Sequence, residues 1–426
     1  MFELDRRVFL RSALGSAAAT SVWLPLFGAD EANDSKKDSE FDPDTLFLTW
    51  QRDPTTTMTV QWVGKDDVLN ERGVSFVAHG EQVWRSVVPR KRPYPRSKKR
   101  HAFRAELTGL VPGTEYRFQI GKSSPTYRFR TMPAKLTDSF QFVSGGDCGI
   151  NHNAIATNKL AAKQDPMFAL ICGDLGYDDG HDAGISLAFL KNYRKHMIDS
   201  GGRLIPLVVG IGNHEVRGGY NQPRTSGPFF FALHDGLYSE RSYATLDFGD
   251  YLSLVILDTG HVEPIEGEQT AWLDKTLAER TERPHLIVAN HVPAYPSHRE
   301  YDAENIRGTG AGNRKHWAPL FQKHNVDLVL EHHDHTFKRS HPMLDGVINK
   351  NGIIYLGDGS WGMLRPPIPL EKRPYLAAAS MDYHLTLHRL EADRQIHTAI
   401  AKDGRVVDTC TIQKRALRAI GRGAPS

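Results

Sequence analysis

Five short polar clusters, each standing at the end of an apolar run, constrain this chain more than any other feature. Gly146-Asp147-Cys148-Gly149 follows the run Phe140 to Val143, and Gly173-Asp174-Leu175-Gly176-Tyr177 follows Met167 to Ile171. Gly212-Asn213-His214-Glu215 follows Leu204 to Val209, Asn290-His291 follows Leu286 to Val288, and His332-His333-Asp334-His335 follows Val326 to Leu330. Runs of this length and composition, with Leu252 to Leu257 as a sixth, read as buried strands. Between them Ala154 to Lys163, Ala183 to Ile198, Gln269 to Glu279 and Arg314 to His324 read as helices. That alternation is the grammar of an α/β domain. In such a sheet the loops after the strands gather at the carboxyl edge, so residues far apart in sequence converge there. A lone Gly-Asp or His-x-His means little, but five clusters in this order make a site.

The remainder of the chain is organised differently. Leu46 to Trp50, Met58 to Val63 and Tyr116 to Ile120 alternate apolar and polar residues with turn residues between them, which predicts a small antiparallel sandwich over 44–133. Tyr383 to Leu390, Gln395 to Ala401 and Arg405 to Ile412 alternate again and are expected to add edge strands, closing an α/β domain over 138–413. Residues 33–43 are polar and acidic and read as a linker, and 414–426 as a basic tail. At the N-terminus Asp5-Arg6-Arg7-Val8-Phe9-Leu10-Arg11 precedes a mildly apolar stretch, Ser12 to Gly28, too weak to span a membrane comfortably. Residues 1–32 resemble a twin-arginine export signal, which implies the export machinery as a partner. The expected location is periplasmic or extracellular, with a membrane tether if the signal is retained. Ala29 or Ala32 could end it.

Composition excludes several classes. The formal net charge of +3 is small beside 53 basic and 50 acidic residues, so no nucleic-acid partner is expected. A basic stretch from Arg85 to Arg100 is interrupted by Pro93 and Pro95 and reads as a solvated loop. Three cysteines are too few for a disulfide framework, and Cys148 and Cys172 read as small core residues.

The five clusters offer carboxylates, a phenol, an amide and imidazoles. Asp and a Tyr phenolate favour a hard, highly charged ion, whereas Asn and His suit a softer divalent one. Two ions about 3.5 to 4 Å apart could share a carboxylate and activate a water. The matching substrate is a phosphate ester, whose hydrolysis needs charge clamped on its oxygens and a strong nucleophile.

The clusters resemble the motifs GDxG, GDxxY, GNH plus an acid, VxxH and GHxH of the calcineurin-like metallophosphoesterases, and specifically of the purple acid phosphatases. Residues 139–340 carry the likeness, supported by YATLDFGDYLSLVILDT (243–259) and QTAWLDKTL (269–277). LTGLVPGTEY (107–116) resembles the late-strand turn of fibronectin type III-like domains, which precede the catalytic domain in the large purple acid phosphatases. The resemblance implies an N-terminal β-sandwich and a four-layer α/β/β/α catalytic domain. It further implies that Asp147, Tyr177 and His335 hold Fe(III), that Asn213, His291 and His333 hold a divalent Zn, Mn or Fe, and that Asp174 bridges. The Tyr177 position separates this group from other metallophosphoesterases.

The reading that follows is a metal-dependent phosphatase of monoesters, small or macromolecular, working by metal-hydroxide attack. A phosphodiesterase or nucleotide hydrolase on the same site is one alternative; a surface binding protein with a vestigial metal site is another. His214, beside Asn213, is the expected imidazole for the leaving oxygen, with Glu215 orienting it, and His298 is a second catalytic candidate in HVPAYPSH. His332 and Glu331 depart from the family pattern, which has Gly before the first histidine; His332 reads as a residue behind the metal or at the surface. Gly357 to Gly362 reads as a structural turn, and His181, His285 and His324 as surface or helix residues.

Overall fold

The computed structural model describes residues 41–65, 73–136, 138–302 and 307–414. The segment read as an export signal, most of the expected linker and all but the first residue of the expected basic tail fall outside them. The described residues form one compact unit.

The first eight strands are β1 (Phe47–Thr49), β2 (Met58–Lys65), β3 (Val74–Ala78), β4 (Arg85–Val87), β5 (Arg90–Pro93), β6 (Arg100–Leu107), β7 (Glu115–Ile120) and β8 (Tyr127–Arg130). They form two four-stranded antiparallel sheets, ordered β1-β2-β6-β5 and β4-β3-β7-β8. The turn at 107–116 is built as a tyrosine corner, since the Tyr116 hydroxyl accepts a hydrogen bond from the Val111 amide at 2.9 Å. The basic stretch Arg85 to Arg100, expected as a solvated loop, instead carries β4, the exposed edge strand β5 and the first residue of β6; on β5 the charge deters edge-to-edge pairing.

The catalytic half has two mixed sheets. One carries β9 (Phe140–Gly145), β10 (Ala169–Cys172), β11 (Leu207–Gly210) and, from the tail, β23 (His384–Leu390), β24 (Arg394–Ala401) and β25 (Val406–Gln413), in the order β11-β10-β9-β23-β24-β25. The other carries β12 (Ala244–Phe248), β13 (Leu252–Leu257), β14 (His285–Asn290), β17 (Leu328–Glu331), β18 (Phe337–Ser340), β21 (Ile354–Asp358) and β22 (Leu376–Ser380), in the order β12-β13-β14-β17-β21-β18-β22. Two small hairpins, β15 (Tyr301–Asp302) with β16 (Arg307–Gly308) and β19 (Met343–Leu344) with β20 (Val347–Ile348), lie outside both sheets. One expectation is corrected here. The tail supplies β25 as an edge strand, but β23 sits inside the sheet between β9 and β24, with both faces buried, Leu385 toward the helices and His388 between the sheets.

The helices are α1 (His152–Ala162), α2 (Ala183–His196), α3 (Pro228–His234), α4 (Glu268–Ala278) and α5 (Ala318–Lys323), the last continuing a π-turn at Asn313–Trp317. Asn151 and Asp182 cap α1 and α2, each side chain accepting two backbone N–H bonds. Strand alternation sorts the layers. In β10, Leu170 and Cys172 face the space between the sheets, while Ala169 and Ile171 face α1 and α2. In β13, Leu254 and Ile256 face inward, while Val255 and Leu257 meet Leu273 and Leu277 of α4 and Phe321 of α5. The order is therefore helices, sheet, sheet, helices. Strands β9, β10 and β11 run parallel, as do β13, β14, β17 and β21, so the loops of both sheets open at one edge.

Candidate metal centre

All five clusters lie just past the carboxyl ends of parallel strands, namely β9, β10, β11, β14 and β17. The backbone there is bent sharply. Asp147, Asp174, Tyr177, His333 and His335 have φ of 56°, 56°, 66°, 71° and 60°, a left-handed conformation that costs a residue with a Cβ about 1 to 2 kcal/mol. Such strain collects where geometry serves function. Hydrogen bonds hold it in place: the Asp147 amide donates to Gly173 O at 3.1 Å, and the His333 amide to Asp147 Oδ2 at 2.8 Å.

The side chains meet in two groups. Asp147 Oδ1 lies 3.0 Å from His335 Nε2 and 3.4 Å from the Tyr177 hydroxyl, which is itself 3.1 Å from His335 Nε2. In the other group His291 Nε2 lies 3.3 Å from Asn213 Oδ1 and 3.1 Å from His333 Nδ1. Asp174 stands between them, its Oδ1 3.3 Å from His291 Nε2. Ligand atoms of Asp147, Asp174, His291 and His333 all lie within 4.8 Å of one another, and all four residues are buried. The seven residues named from the sequence are thus brought together.

Their electrostatics call for a cation. Burial disfavours charge on both Asp174 and His291. Even so, His291 holds the Asp174 carboxyl well below the usual range, and Asp174 and Asp147 push His291 up to about 9. Asp174 Oδ2 is buried without a hydrogen-bond partner. Two buried carboxylates converging on imidazoles, one oxygen left unsatisfied, form a donor set that suits metal ions.

Comparison with known proteins gives the same direction. Residues 43–131 match the family described as "Purple acid Phosphatase, N-terminal domain", and residues 145–337 match "Calcineurin-like phosphoesterase". The chain is a purple acid phosphatase-like member of the calcineurin-like phosphoesterases. It is 26% identical over 268 residues to purple acid phosphatase 21 of Arabidopsis thaliana, covering 59% of this chain and 56% of that one. It is 23% identical over 414 residues to acid phosphatase type 7 of Mus musculus, covering 88% and 92%. A solved purple acid phosphatase from yellow lupin seeds shares the fold, with a TM-score of 0.70 at 19% identity over 87% of this chain and 74% of that one. The chain spans little more than half the length of several plant relatives, 56% and 53% in two of them. A dinuclear metal centre comes with this family.

Around these seven residues, the purple acid phosphatase-like chain arranges further polar groups. His214 is one-third exposed, with its Nδ1 2.5 Å from Asp179 Oδ1, its Nε2 3.9 Å from Asp174 Oδ2 and its ring against Tyr177. Asp179, rather than the expected Glu215, therefore orients this ring. Glu215 is wholly buried and accepts the amide hydrogens of Gly212, Asp174 and Leu175 at 2.7 to 2.8 Å, stitching two ligand loops together. His298 is not brought into the cluster. Its ring Nδ1 lies 2.8 Å from Pro366 O, and its amide donates to Asp334, which places it on the rim.

The departure at Glu331-His332 has a packing reason. Glu331 is buried in an ion pair with Lys338 and accepts the Ala294 amide at 2.6 Å, fixing the loop that follows His291. His332 is buried rather than at the surface. It lies behind the centre, its Nδ1 2.9 Å from Asn290 O and its ring in space that a Cβ on Gly146 would invade at 2.7 Å. The Gly357–Gly362 turn is also more than a turn, since a Cβ on Gly359 would meet Asp147 Oδ2 at 2.6 Å, and the Gly362 and Met363 amides donate to Asp147 O. His285 and His324 are buried, the first bonded to Glu391 O and the second to Asp274; His181 is exposed, as expected. No disulfide joins Cys148 and Cys172, both buried.

Proposed function

We propose that this chain hydrolyses phosphate monoesters at a centre of two metal ions, one Fe(III) and one divalent Zn, Mn or Fe. The observation that carries it is the pairing of Asp147, Tyr177 and His335 on one side with Asn213, His291 and His333 on the other, Asp174 between them. Under this reading the first three hold the trivalent ion, the second three the divalent one, and Asp174 serves both. When bound, two such cations clamp charge on phosphoryl oxygens and acidify a water so that it attacks at ordinary pH. The protein's own groups do the rest. Asp179 holds His214 with Nε2 toward the cluster, where the ring is placed to donate a proton to the departing ester oxygen. Glu215 keeps Asp174 in register by holding its amide and that of Leu175. His298, bonded to Pro366, shapes the rim and carries a lesser share of the rate.

The test is metal analysis of purified protein alongside hydrolysis of a chromogenic monoester and diester. Two ions per chain, iron among them, with faster monoester turnover, is the expected result. Metal-free protein, or a marked diester preference, would overturn it. We infer further, from the likeness of the Arg6-Arg7 segment to a twin-arginine signal, that the protein is exported by that route. Replacing both arginines by Lys should leave precursor in the cytoplasmic fraction; normal arrival of the variant in the envelope would rule that route out.

A further inference from the structure

His333 is gripped at four points, and its ring meets the cluster through only one of its two nitrogens. Its amide donates to Asp147 Oδ2 at 2.8 Å, and its carbonyl accepts from Arg299 Nη2 at 3.0 Å. Ring Nδ1 lies 3.1 Å from His291 Nε2, inside the cluster, while ring Nε2 points away and lies 3.2 Å from the Tyr220 hydroxyl. A neutral imidazole carries one N–H, and its position decides which nitrogen has a lone pair to offer. If the hydrogen sat on Nδ1, this ring would present a donor to the ligand cluster and no lone pair at all. The Tyr220 hydroxyl can donate or accept, and where it accepts at Nε2 it selects the other tautomer, the device by which metal-binding histidines are commonly oriented.

Tyr220 is built to be such a fixed point. It follows Gly218 and Gly219, at φ of 95° and 78°, a bend that folds the chain back over the centre. The Asn221 and Gln222 amides then donate to Gly260 O and His261 O, pinning this loop to the one after β13. His261 is fully buried, with Nδ1 2.9 Å from Gly219 O and Nε2 2.9 Å from Thr259 Oγ1, and the Tyr220 ring packs on it at 4.8 Å between centroids. The phenol ring meets the His333 ring edge-on, at 85°.

We propose that Tyr220 is a positioning residue of the centre: its hydroxyl oxygen accepts the Nε2–H of His333 and so keeps the Nδ1 lone pair of that ring aimed at His291 and Asp174. The sequence clusters give no sign of it, because it lies five residues past Glu215 in a glycine turn and contacts the ligand only through the fold. The inference rests on the two-metal reading and adds a supporting group to the divalent half alone.

Tyr220→Phe removes one oxygen and keeps the ring on His261. Equilibrium titration of wild type and variant with Zn(II), read with a chelating indicator, should show the His333 half weakened by about 10- to 100-fold, with the other ion held as before. Thermal melting of the metal-free proteins should coincide. Tyr220→Leu, which also removes the ring packed on His261, should weaken binding by no more than a few-fold beyond Phe. Wild-type affinity at both positions in Tyr220→Phe would overturn the inference, as would equal weakening of both ions. A wild-type protein that binds fewer than two ions would instead overturn the two-metal reading and take this inference with it.

Discussion

Tyr177 carries the finest distinction in the site with a single oxygen. Burial first, and then the Asp147 carboxylate beside it, push its phenol well above the ordinary tyrosine range, so without a strongly charged cation it is neutral. Its hydroxyl nevertheless points at Asp147 and His335 rather than at solvent. By the family resemblance, a phenolate on Fe(III) gives a visible absorption band that carboxylate, amide and imidazole ligands on divalent ions do not. The isolated protein is therefore expected to be coloured, and Tyr177→Phe to lose the band while retaining the ion on the Asn213, His291 and His333 side. A colourless, iron-free, active wild type, or a variant that stayed coloured, would remove iron from the assignment and leave a divalent centre. Residues of this kind were legible in the sequence because each stands at a fixed offset from a strand end. Asp179 was not: it lies two residues beyond Tyr177, half-hidden in Asp178-Asp179-Gly180, and only its φ of 55° turns it onto His214. Glu215 was legible as an important acid but not in its role, since three backbone N–H donors from two loops are a fact of tertiary structure.

At the scale of elements, the parallel strands deliver the ligands and the turn after β21 closes beneath them. That turn packs Trp361 against Gly145, seats Gly359 against Asp147 and His333, and sends two amides to Asp147 O. Gly359→Ala tests its part. The added Cβ would lie 2.6 Å from Asp147 Oδ2 and 2.9 Å from the His333 amide, the two atoms that hydrogen-bond across the centre. Overpacking of this sort costs about 1 to 3 kcal/mol, a shift of only several degrees in melting for a chain this long. Metal content and turnover should fall by at least about tenfold, because the displaced atoms belong to a ligand pair. A variant with full metal occupancy and wild-type rate would show that the turn is only a turn. Most elements could be read beforehand, since α2 and α4 are amphipathic and the central strands are short, continuous apolar runs between turn residues. Helix α3 could not, because its sequence, PFFFALH, is short and almost wholly apolar, so no face is marked. The tail misled for a related reason: alternation in His384–Leu390 signals a strand but not its neighbours, and pairing of β23 with β9 spans the whole catalytic half.

Across the whole molecule, the sandwich and the catalytic half are joined by their interiors. Trp50 meets Phe168 and Phe248 edge-on, Tyr94 packs on Phe229, and Asp235 pairs with both Arg92 and Arg104. Unfolding should therefore report on one interior, and that interior contains histidines that acid must charge. His388 and His397 lie between the sheets, Nδ1 to Nδ1 at 2.7 Å, with Ser144 on the other side of His388 and His285 near His397. Burial holds His397 down to about 3, helped by His285, pushes His285 down to about 4, and holds His388 well below the ordinary histidine range. The sign follows from proton counts. In the unfolded chain these rings take up protons as pH falls through about 6.5, while in the folded protein they stay neutral. The unfolded state then binds more protons, so stability is full above about pH 6.5 and is lost progressively down to about pH 3 to 4. Each such ring adds up to about 1.4 kcal/mol per pH unit to that slope. His397→Gln removes one titrating ring from a site more than a hundred residues from any ligand loop except His335 in sequence, so its effect on the slope is separable from its effect on absolute stability. Denaturant unfolding at pH 6, 5 and 4 should give a line for the variant that is shallower by about 1 kcal/mol per pH unit, whatever its offset. Protonation of the ligand histidines contributes equally to both proteins and cancels in the comparison. Parallel lines would mean that His397 is charged in the folded protein or that water reaches it between the sheets. In that case the acid limit of the molecule would lie with His285, His388 and the metal centre rather than with His397.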